Sequence, residues 1–573
     1  MSVPLDELSA TLTGPGRMFE MHELTCDGLP LRVWKNAPAS LPVVLEQSRA
    51  HGAKVFTVYE GERTTFEEHY CRAATLAHRL IKRYGVCKGD RVAIAMRNLP
   101  EWPLAFWGAA AAGAVVVPLN AWGTAAELAY GVADSGATVV FADAERATRL
   151  HAELPHLPDV RHVVVVRGGA LAPGQEHFST VLGAVAADVT LPDVPLGPDD
   201  PATIFYTAGT TGHPKGALGT QRNICGNVVS LGFARVRGVL RSGGSFEDLI
   251  AQSQQQEVYL LSVPFFHVTG CHGVLLSMTA VGGRLVLMHK WDPERALELI
   301  ERERVTSFGG VPTMVWQVVE SPSLAQRDVS SVRNIAYGGA PAPSELLRRL
   351  RAVFPQAVAS NGYGLTETSS LVSLNAGRDY MERPLSAGLA LPICDLRVLD
   401  DRGRELPRGA AGELWIRGPN VVRGYWNKPE ATAANFRDGW FRTGDIVRFD
   451  DDGFLYIIDR AKDMVIRGGE NVYCAEVEDA LFAHAAVLGV AVIGVPHAVL
   501  GEEVGAVVHL RPGRRATEQE LREHVAARLA AFKVPSRIWF SDAPLPTNAA
   551  GKVLKRALRE LILTQGGGSR NDQ

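Results

Sequence analysis

The sequence predicts an α/β protein with three parts. They are a large N-terminal domain of parallel α/β sheets, a strand-rich barrel subdomain within it, and a small α+β C-terminal domain. Three observations carry this. Short β-branched runs alternate with Ala/Leu-rich helical stretches over most of the first 390 residues, the βαβ rhythm of parallel sheets covered by helices. From about Asp395 the pattern turns strand-rich, with turns at Asp400-Asp401-Arg402-Gly403 and Asp450-Asp451-Asp452-Gly453. After Asp459 comes a compact segment of mixed character. The chain has 573 residues, too many for one ordinary domain. We divide it into 1–458, a linker at 459–463, and 464–573.

The elements follow in order. Arg91–Met96 is expected as a strand, Pro103–Ala112 as a helix and Ala114–Pro118 as a strand. Ala125–Ser135 reads as a helix and Ala137–Phe141 as a strand. Glu294–Glu303 (helix), Val332–Tyr337 (strand), Ser344–Phe354 (helix) and Ala357–Ser360 (strand) continue the alternation. Further on, strands are expected near Leu488–Gly494 and Val504–Leu510, and an amphipathic helix over Glu518–Leu529. The polar stretch Arg237–Gln256 breaks the rhythm and is expected as a mobile surface insertion.

Composition narrows the function classes. Apolar content of 46% with 21% charged residues is that of a soluble globular protein. A net charge of −3 without a long basic stretch argues against nucleic acid as partner. Seven scattered cysteines without a Cys-x-x-Cys pair favour reduced thiols in a cytoplasmic protein over disulfides or a zinc site. Asp6 and Glu7 interrupt any signal-peptide core. The apolar run Pro103–Trp122 contains Gly113 and Pro118, so it reads as a buried helix entering a buried strand rather than a membrane span. Oligomeric state, a homodimer included, stays open.

The most informative stretch is Thr207-Ala208-Gly209-Thr210-Thr211-Gly212-His213-Pro214-Lys215-Gly216. Gly209 and Gly212 let backbone N–H groups approach an anion, three threonines donate to phosphate oxygens, and Lys215 adds a positive charge. It lacks the Walker A spacing, and Pro214 and Gly216 argue for a mobile loop. Five more clusters follow. In Pro264-Phe265-Phe266-His267-Val268-Thr269-Gly270, His267 lies near the expected end of a strand, where ligands of α/β proteins bind. Gly338-Gly339-Ala340-Pro341 leaves room for a flat ring against backbone. Asn361-Gly362-Tyr363-Gly364-Leu365-Thr366-Glu367-Thr368 sets a hydroxyl beside a carboxylate able to hold Mg²⁺ together with substrate phosphates. Phe441-Arg442-Thr443-Gly444-Asp445 offers a carboxylate suited to two ribose hydroxyls. Pro546-Thr547-Asn548-Ala549-Ala550-Gly551-Lys552 puts a lysine on a glycine-bearing loop.

In this order the motifs resemble the adenylate-forming superfamily of acyl-CoA synthetases, firefly-type luciferases and nonribosomal peptide adenylation domains. The resemblance spans roughly residues 40–562 and extends to Gly-Glu-Leu-Trp-Ile-Arg-Gly-Pro (412–419), Gly-Tyr-Trp-Asn-Lys-Pro-Glu-Ala-Thr (424–432), Asp-Arg-Ala-Lys-Asp (459–463) and Gly-Gly-Glu-Asn-Val-Tyr (468–473). Within the superfamily the chain looks most like a medium- or long-chain fatty acyl-CoA synthetase.

The resemblance implies ATP, Mg²⁺ and coenzyme A as reactants and cofactor, and a role for each matched residue. The Thr207–Lys215 loop would hold the β- and γ-phosphates. Gly339, Ala340 and Pro341 with Asn361, Gly362, Tyr363 and Gly364 would form the adenine pocket. Thr366 would touch the α-phosphate, Glu367 would hold magnesium, and Asp445, helped by Arg460, would hold the ribose. Lys552 would bridge the acid and the α-phosphate, and His267 would line the mouth of the acid pocket. Further pocket candidates are Phe265, Val268, Cys271, Val311, Trp316, Gly338, Gly364 and Leu365. The small domain would be mobile and rotate about Lys462, bringing the Gly468-Gly469-Glu470 loop to the coenzyme A tunnel. One departure is Ala208, where the family usually has serine; a lost hydrogen bond to a charged group is worth about 1.5–3 kcal/mol. An aryl-CoA ligase shares every motif. An acyl-AMP ligase would carry an extra insertion ahead of the small domain, and an amino-acid adenylation domain an aspartate near His267; neither is present. A non-catalytic nucleotide-binding scaffold would be expected to have lost Lys552 or Glu367.

Overall fold

Strands that are apolar along their whole length belong in sheets covered on both faces, and two such sheets form most of the protein. The computed structural model describes residues 5–26, 28–207, 214–338, 344–461, 463–468, 470–497, 499–548 and 551–566. The first sheet has seven strands in the order Lys215–Thr220, Pro201–Thr207, Val115–Pro118, Arg91–Ala95, Val139–Asp143, His162–Val166 and Gln175–His177. All neighbours are parallel except the hairpin that joins Pro201–Thr207 to Lys215–Thr220. The chain leaves Arg91–Ala95 toward Val115–Pro118 on one side, then returns to Val139–Asp143 on the other. The carboxyl ends of Arg91–Ala95 and Val139–Asp143 therefore border a topological switch point.

The apolar run that raised the membrane question is the helix Glu101–Ala111 followed by Val115–Pro118. Trp102, Phe106 and Trp107 are fully buried in it. It packs on the long helix Phe66–Tyr84, which starts in a capping box between Thr65 and Glu68 and stops at the left-handed Gly85. Among the described residues no helix is long and apolar enough to cross a membrane. None of the seven cysteines forms a disulfide among the described residues.

The second sheet has nine strands. Its centre runs Val358–Leu365, Asn334–Gly338, Ser307–Gly310, Val258–Leu261 and Arg284–Leu287, all parallel. A third, antiparallel sheet contains Asp395–Leu399, Gly412–Arg417 and Trp440–Phe449, with Leu455–Arg460 paired to the last. The C-terminal sheet joins Val465–Arg467, Glu470–Val472, Gly501–Leu510, Val487–His497 and Arg537–Ser541. It buries its own core of Val477, Leu481, Val492, Val504 and Leu521. It meets the large part at Arg511, which pairs with Glu320 and lies 5.2 Å over the Trp316 ring.

Three expectations need correction. Arg237–Gln256 lies at the surface from residue 242 onward, as expected, but it is largely helical and begins buried. The helix Gln221–Arg241 runs into it, and Arg237 is buried, its guanidinium donating to the carbonyls of Leu374, Leu389 and Ala390. A second helix, Phe246–Ser253, follows, with Ser245 and Asp248 as its capping box. Lys215 does not sit on a mobile loop but opens a strand paired with Thr207. The strand expected over Ala357–Ser360 continues to Leu365, so Asn361–Gly364 are strand residues, held between Asn334–Gly338 and Ser370–Ala376. Pairing on both sides extends the strand past Ser360.

Candidate active site

A cleft of about 2390 Å³ opens where the carboxyl ends of the parallel strands, the third sheet and the C-terminal segment meet. On one wall, antiparallel register sets Asp445 opposite Arg460. Asp445 is buried; its Oδ1 lies 3.0 Å from Arg460 Nε and its Oδ2 accepts the Tyr363 hydroxyl at 2.7 Å. Its backbone N–H donates to Thr443 Oγ1 at 3.0 Å. Enclosure and the Asp445 charge push the Tyr363 phenol well above its usual range, so it stays a donor. Enclosure is the largest single influence and works against the Arg460 charge, but Asp445 together with Tyr363, Asp463 and Glu367 outweighs it and raises the guanidinium pKa.

Glu367 lies on the short 3₁₀ turn Thr366–Thr368 that ends Val358–Leu365. The crossing needs a glycine at 364, because a Cβ there would sit 1.5 Å from the Ser370 carbonyl oxygen. Glu367 is buried, and its Oε1 accepts the Tyr425 hydroxyl at 2.8 Å. Burial raises its pKa. A buried carboxylate that is costly to ionise suits a cation that would neutralise it. Among the described residues no group of three His, Cys, Asp or Glu could hold a metal alone. That burial fits Mg²⁺, which binds through one or two carboxylates plus substrate phosphates. Lys215 Nζ lies 5.1 Å over the Tyr425 ring, on the same wall.

Across the cleft, Asn98 fixes the approach to His267: its amide donates to the Val263 carbonyl at 3.0 Å and accepts from Phe265 N at 2.9 Å. His267 is held near pKa 4 by enclosure and by the nearby Lys552 charge, so it is a neutral imidazole at pH 7. Lys552 enters on a loop closed by Asn548, whose side chain accepts the Lys552 N–H at 3.0 Å. Gly551 has φ +75° and packs against Val311, where a Cβ would approach Cγ2 to 2.5 Å.

The structure thus gathers Thr207, Lys215, His267, Asn361, Gly362, Tyr363, Gly364, Thr366, Glu367, Asp445, Arg460 and Lys552 around one cleft. Of the acid-pocket candidates, Val311, Trp316 and Leu365 also line it, whereas Phe265, Val268, Cys271 and Gly338 do not. Gly468 and Glu470 lie outside it, Gly468 on a turn whose N–H donates to Leu500. Ala208, Gly209, Thr210, Thr211, Gly212, Gly339, Ala340, Pro341, Lys462 and Gly469 lie outside the described residues. Sequence reasoning missed Tyr425 as the partner of Glu367. The signal was present, since Tyr425 sits in the 424–432 motif, but nothing local connects it to a residue 58 positions away.

A cleft that gathers Asp445, Glu367 and Lys552 with the Asn361–Glu367 strand end has the make-up of an adenylate-forming enzyme. The chain belongs to the AMP-binding enzyme family: the AMP-binding enzyme model matches residues 44–426 and the AMP-binding enzyme C-terminal domain matches 476–552. Within that family it is an acid–CoA ligase by its relatives. It is 37% identical to a feruloyl-CoA synthase of Amycolatopsis sp over 502 residues, 87% of this chain and 94% of the relative. It is 35% identical to the long-chain-fatty-acid–CoA ligase FadD13 of Mycobacterium tuberculosis over 524 residues, 90% of this chain and 97% of the relative. Among solved structures, ATP-bound MatB from Rhodopseudomonas palustris superimposes with TM-score 0.78 at 31% identity, covering 90% of this chain and 99% of MatB. Enzymes of the family use ATP, Mg²⁺ and coenzyme A.

Proposed function

We propose that the protein activates a medium- or long-chain fatty acid with ATP and transfers the acyl group to coenzyme A. In the first step a carboxylate oxygen attacks the α-phosphorus, the bond to the bridging oxygen breaks, and pyrophosphate leaves. In the second, the coenzyme A sulfur attacks the acyl carbon and AMP leaves. The observation that carries this reading is the position of Lys552. It enters from the C-terminal segment close enough to His267 to depress that imidazole, in the cleft that Glu367 and Asp445 also line.

Bringing two anions together needs positive charge at the meeting point, and Lys552 supplies it. His267 stays uncharged and can orient the acid by hydrogen bonding. Asp445 offers its remaining lone pairs to the ribose while Tyr363 and Arg460 fix its orientation. Glu367 and the phosphates would hold Mg²⁺, which supplies charge neutralisation at the leaving pyrophosphate. Lys552 is in the cleft while Gly468 and Glu470 are outside it, so thioester formation calls for rotation of 464–573 about 459–463.

A second reading, an aryl-CoA ligase, is favoured by the feruloyl-CoA synthase relative and by the flat Trp316 on the cleft wall. AMP release measured over a panel of fatty and aryl acids, with and without coenzyme A, decides between them. Fatty acids should give the higher kcat/KM. A preference for aryl acids would overturn the first reading in favour of the second.

A further inference from the structure

Lys552 belongs to the C-terminal segment, whereas Glu367, Asp445 and His267 belong to the large part. Its placement therefore depends on how the two parts are seated against each other. One helix of the large part, Pro312–Val319, meets the C-terminal segment at both of its ends. At its start, Gly551, the residue before Lys552, packs against Val311 and Thr313. At its end, Arg511 pairs with Glu320 and lies 5.2 Å over the Trp316 ring. Beside that pair Leu488, also of the C-terminal segment, packs against the core to which Val315, Trp316 and Val319 belong.

Both partners of the ion pair are held on their own side. Glu320 closes the helix, its backbone N–H donating to the Trp316 carbonyl at 3.0 Å. Its Oε2 meets Arg511, and its Oε1 lies 3.1 Å from Arg349 Nη1 on the neighbouring helix Ser344–Val353. Arg349 is steadied in turn by Glu345, 3.1 Å from its Nε. A carboxylate gripped by two guanidinium groups has little freedom to turn away. On the other side, the Arg511 N–H donates to the Ala486 carbonyl at 2.9 Å, and its carbonyl accepts the Arg514 N–H at 3.0 Å. The Arg511 side chain is only 13% exposed. An ion pair so far out of water is screened less than a surface pair, and the planar guanidinium can meet a carboxylate and cover an indole at once. Neither Arg511 nor Glu320 lines the cleft.

We propose that Arg511 and Glu320 are positioning residues for adenylation: their ion pair, stacked on Trp316, seats the C-terminal segment along the helix Pro312–Val319 and so holds Lys552 in the cleft. The pair has to part when 464–573 turns for thioester formation. Its strength therefore sets how the protein divides its time between the two half-reactions. The inference rests on the two-step reaction proposed above and adds the contact that holds the arrangement of the first step.

The test uses the full chain with Glu320→Gln, Arg511→Gln, both together, and Arg511→Lys. Pyrophosphate exchange reads adenylation, and thioester formation from supplied acyl-adenylate and coenzyme A reads the second step. Each glutamine variant should slow adenylation about 10-fold through kcat, with KM for ATP unchanged. The double variant should be no slower than either single one, because all three lose the same contact. Arg511→Lys keeps the charge and should recover part of the rate. Thioester formation should be kept or quickened, which also shows that the variants fold. Equal slowing of both half-reactions, or additive losses in the double variant, would overturn the assignment. A second measurement needs no turnover: hydrogen exchange of the helix Pro312–Val319 should quicken in Arg511→Gln, a change made in the other part of the chain. Unchanged exchange would likewise overturn it. Absence of pyrophosphate exchange with any acid in the wild-type protein would instead count against the acid-activating reading, while hydrogen exchange would still decide whether Arg511 and Glu320 form the seat.

Discussion

The Tyr425 hydroxyl donates to Oε1 of Glu367 across 2.8 Å, joining two segments 58 residues apart. Burial raises the carboxyl pKa, and this hydrogen bond is the largest opposing influence. The phenol thus offsets part of the cost of ionising a residue that must be ionised to hold a cation. Tyr425→Phe should increase the Mg²⁺ concentration needed for half-maximal activity by about 10-fold, the size expected for a lost hydrogen bond to a charge. A magnesium titration of initial rates reads this. An unchanged requirement would show that the phenol only fills space.

Glu367→Gln removes the charge itself. It should depress turnover and raise the Mg²⁺ requirement more than Tyr425→Phe does, while AMP binding stays nearly intact, because AMP has no β- and γ-phosphates to be held through the metal. Calorimetry with AMP, beside the magnesium titration, checks both halves. Loss of AMP binding would place Glu367 in the nucleotide pocket instead.

Asp459 is the titrating group at the boundary between the third sheet and the C-terminal segment. Its carboxylate accepts the N–H groups of Arg460 and of Cys474, which begins the helix Cys474–Phe482. Burial raises its pKa to about 6 despite the nearby Lys555. A carboxyl group raised in the folded state favours folding below its unfolded pKa and loses that contribution as pH rises through the folded value. The stability of the wild-type protein relative to Asp459→Asn should therefore fall between about pH 4 and pH 7, by at most about 3 kcal/mol. Melting curves of the two proteins across this range test it. A constant gap would mean that Asp459 does not titrate there.

Much of the site could be read in the sequence because its residues cluster in short motifs. Asn361–Glu367 and Thr443–Asp445 each form a continuous piece of cleft wall, and Arg460 reaches Asp445 through register alone. The fold was legible where periodicity was strong, as in Ala125–Ser135, where the expected and observed bounds agree. It was not legible where distant pairing decides. Asn361–Leu365 fell outside the strand expected over Ala357–Ser360, yet neighbours on both sides hold it in a sheet. Arg237 looked solvated because its acceptors are carbonyls more than a hundred residues away. The acid pocket was half legible. Trp316 and Val311 line the cleft, but Phe265 and Cys271 are fully buried behind it.

The lining supplied by Val311, Met314, Trp316 and Leu365 is apolar, and the segment Pro264–Gly270 around His267 carries no carboxylate to meet a substrate ammonium. Affinity along a series of straight-chain acids should therefore rise by about 0.8 kcal/mol for each buried CH₂ until the pocket ends. Pyrophosphate exchange at varied acid concentration gives the series. Faster exchange with amino acids than with fatty or aryl acids would contradict an apolar pocket.

We propose that Lys552, carried into the cleft by the C-terminal segment, serves adenylation rather than thioester formation. The direct measurement compares both half-reactions in Lys552→Ala. Acyl-adenylate formation, followed by pyrophosphate exchange, should slow by roughly 10²–10³, as for loss of one group that stabilises the transition state. Thioester formation from supplied acyl-adenylate and coenzyme A should be largely spared. Equal loss in both half-reactions would contradict the account and leave Lys552 a structural residue of its loop.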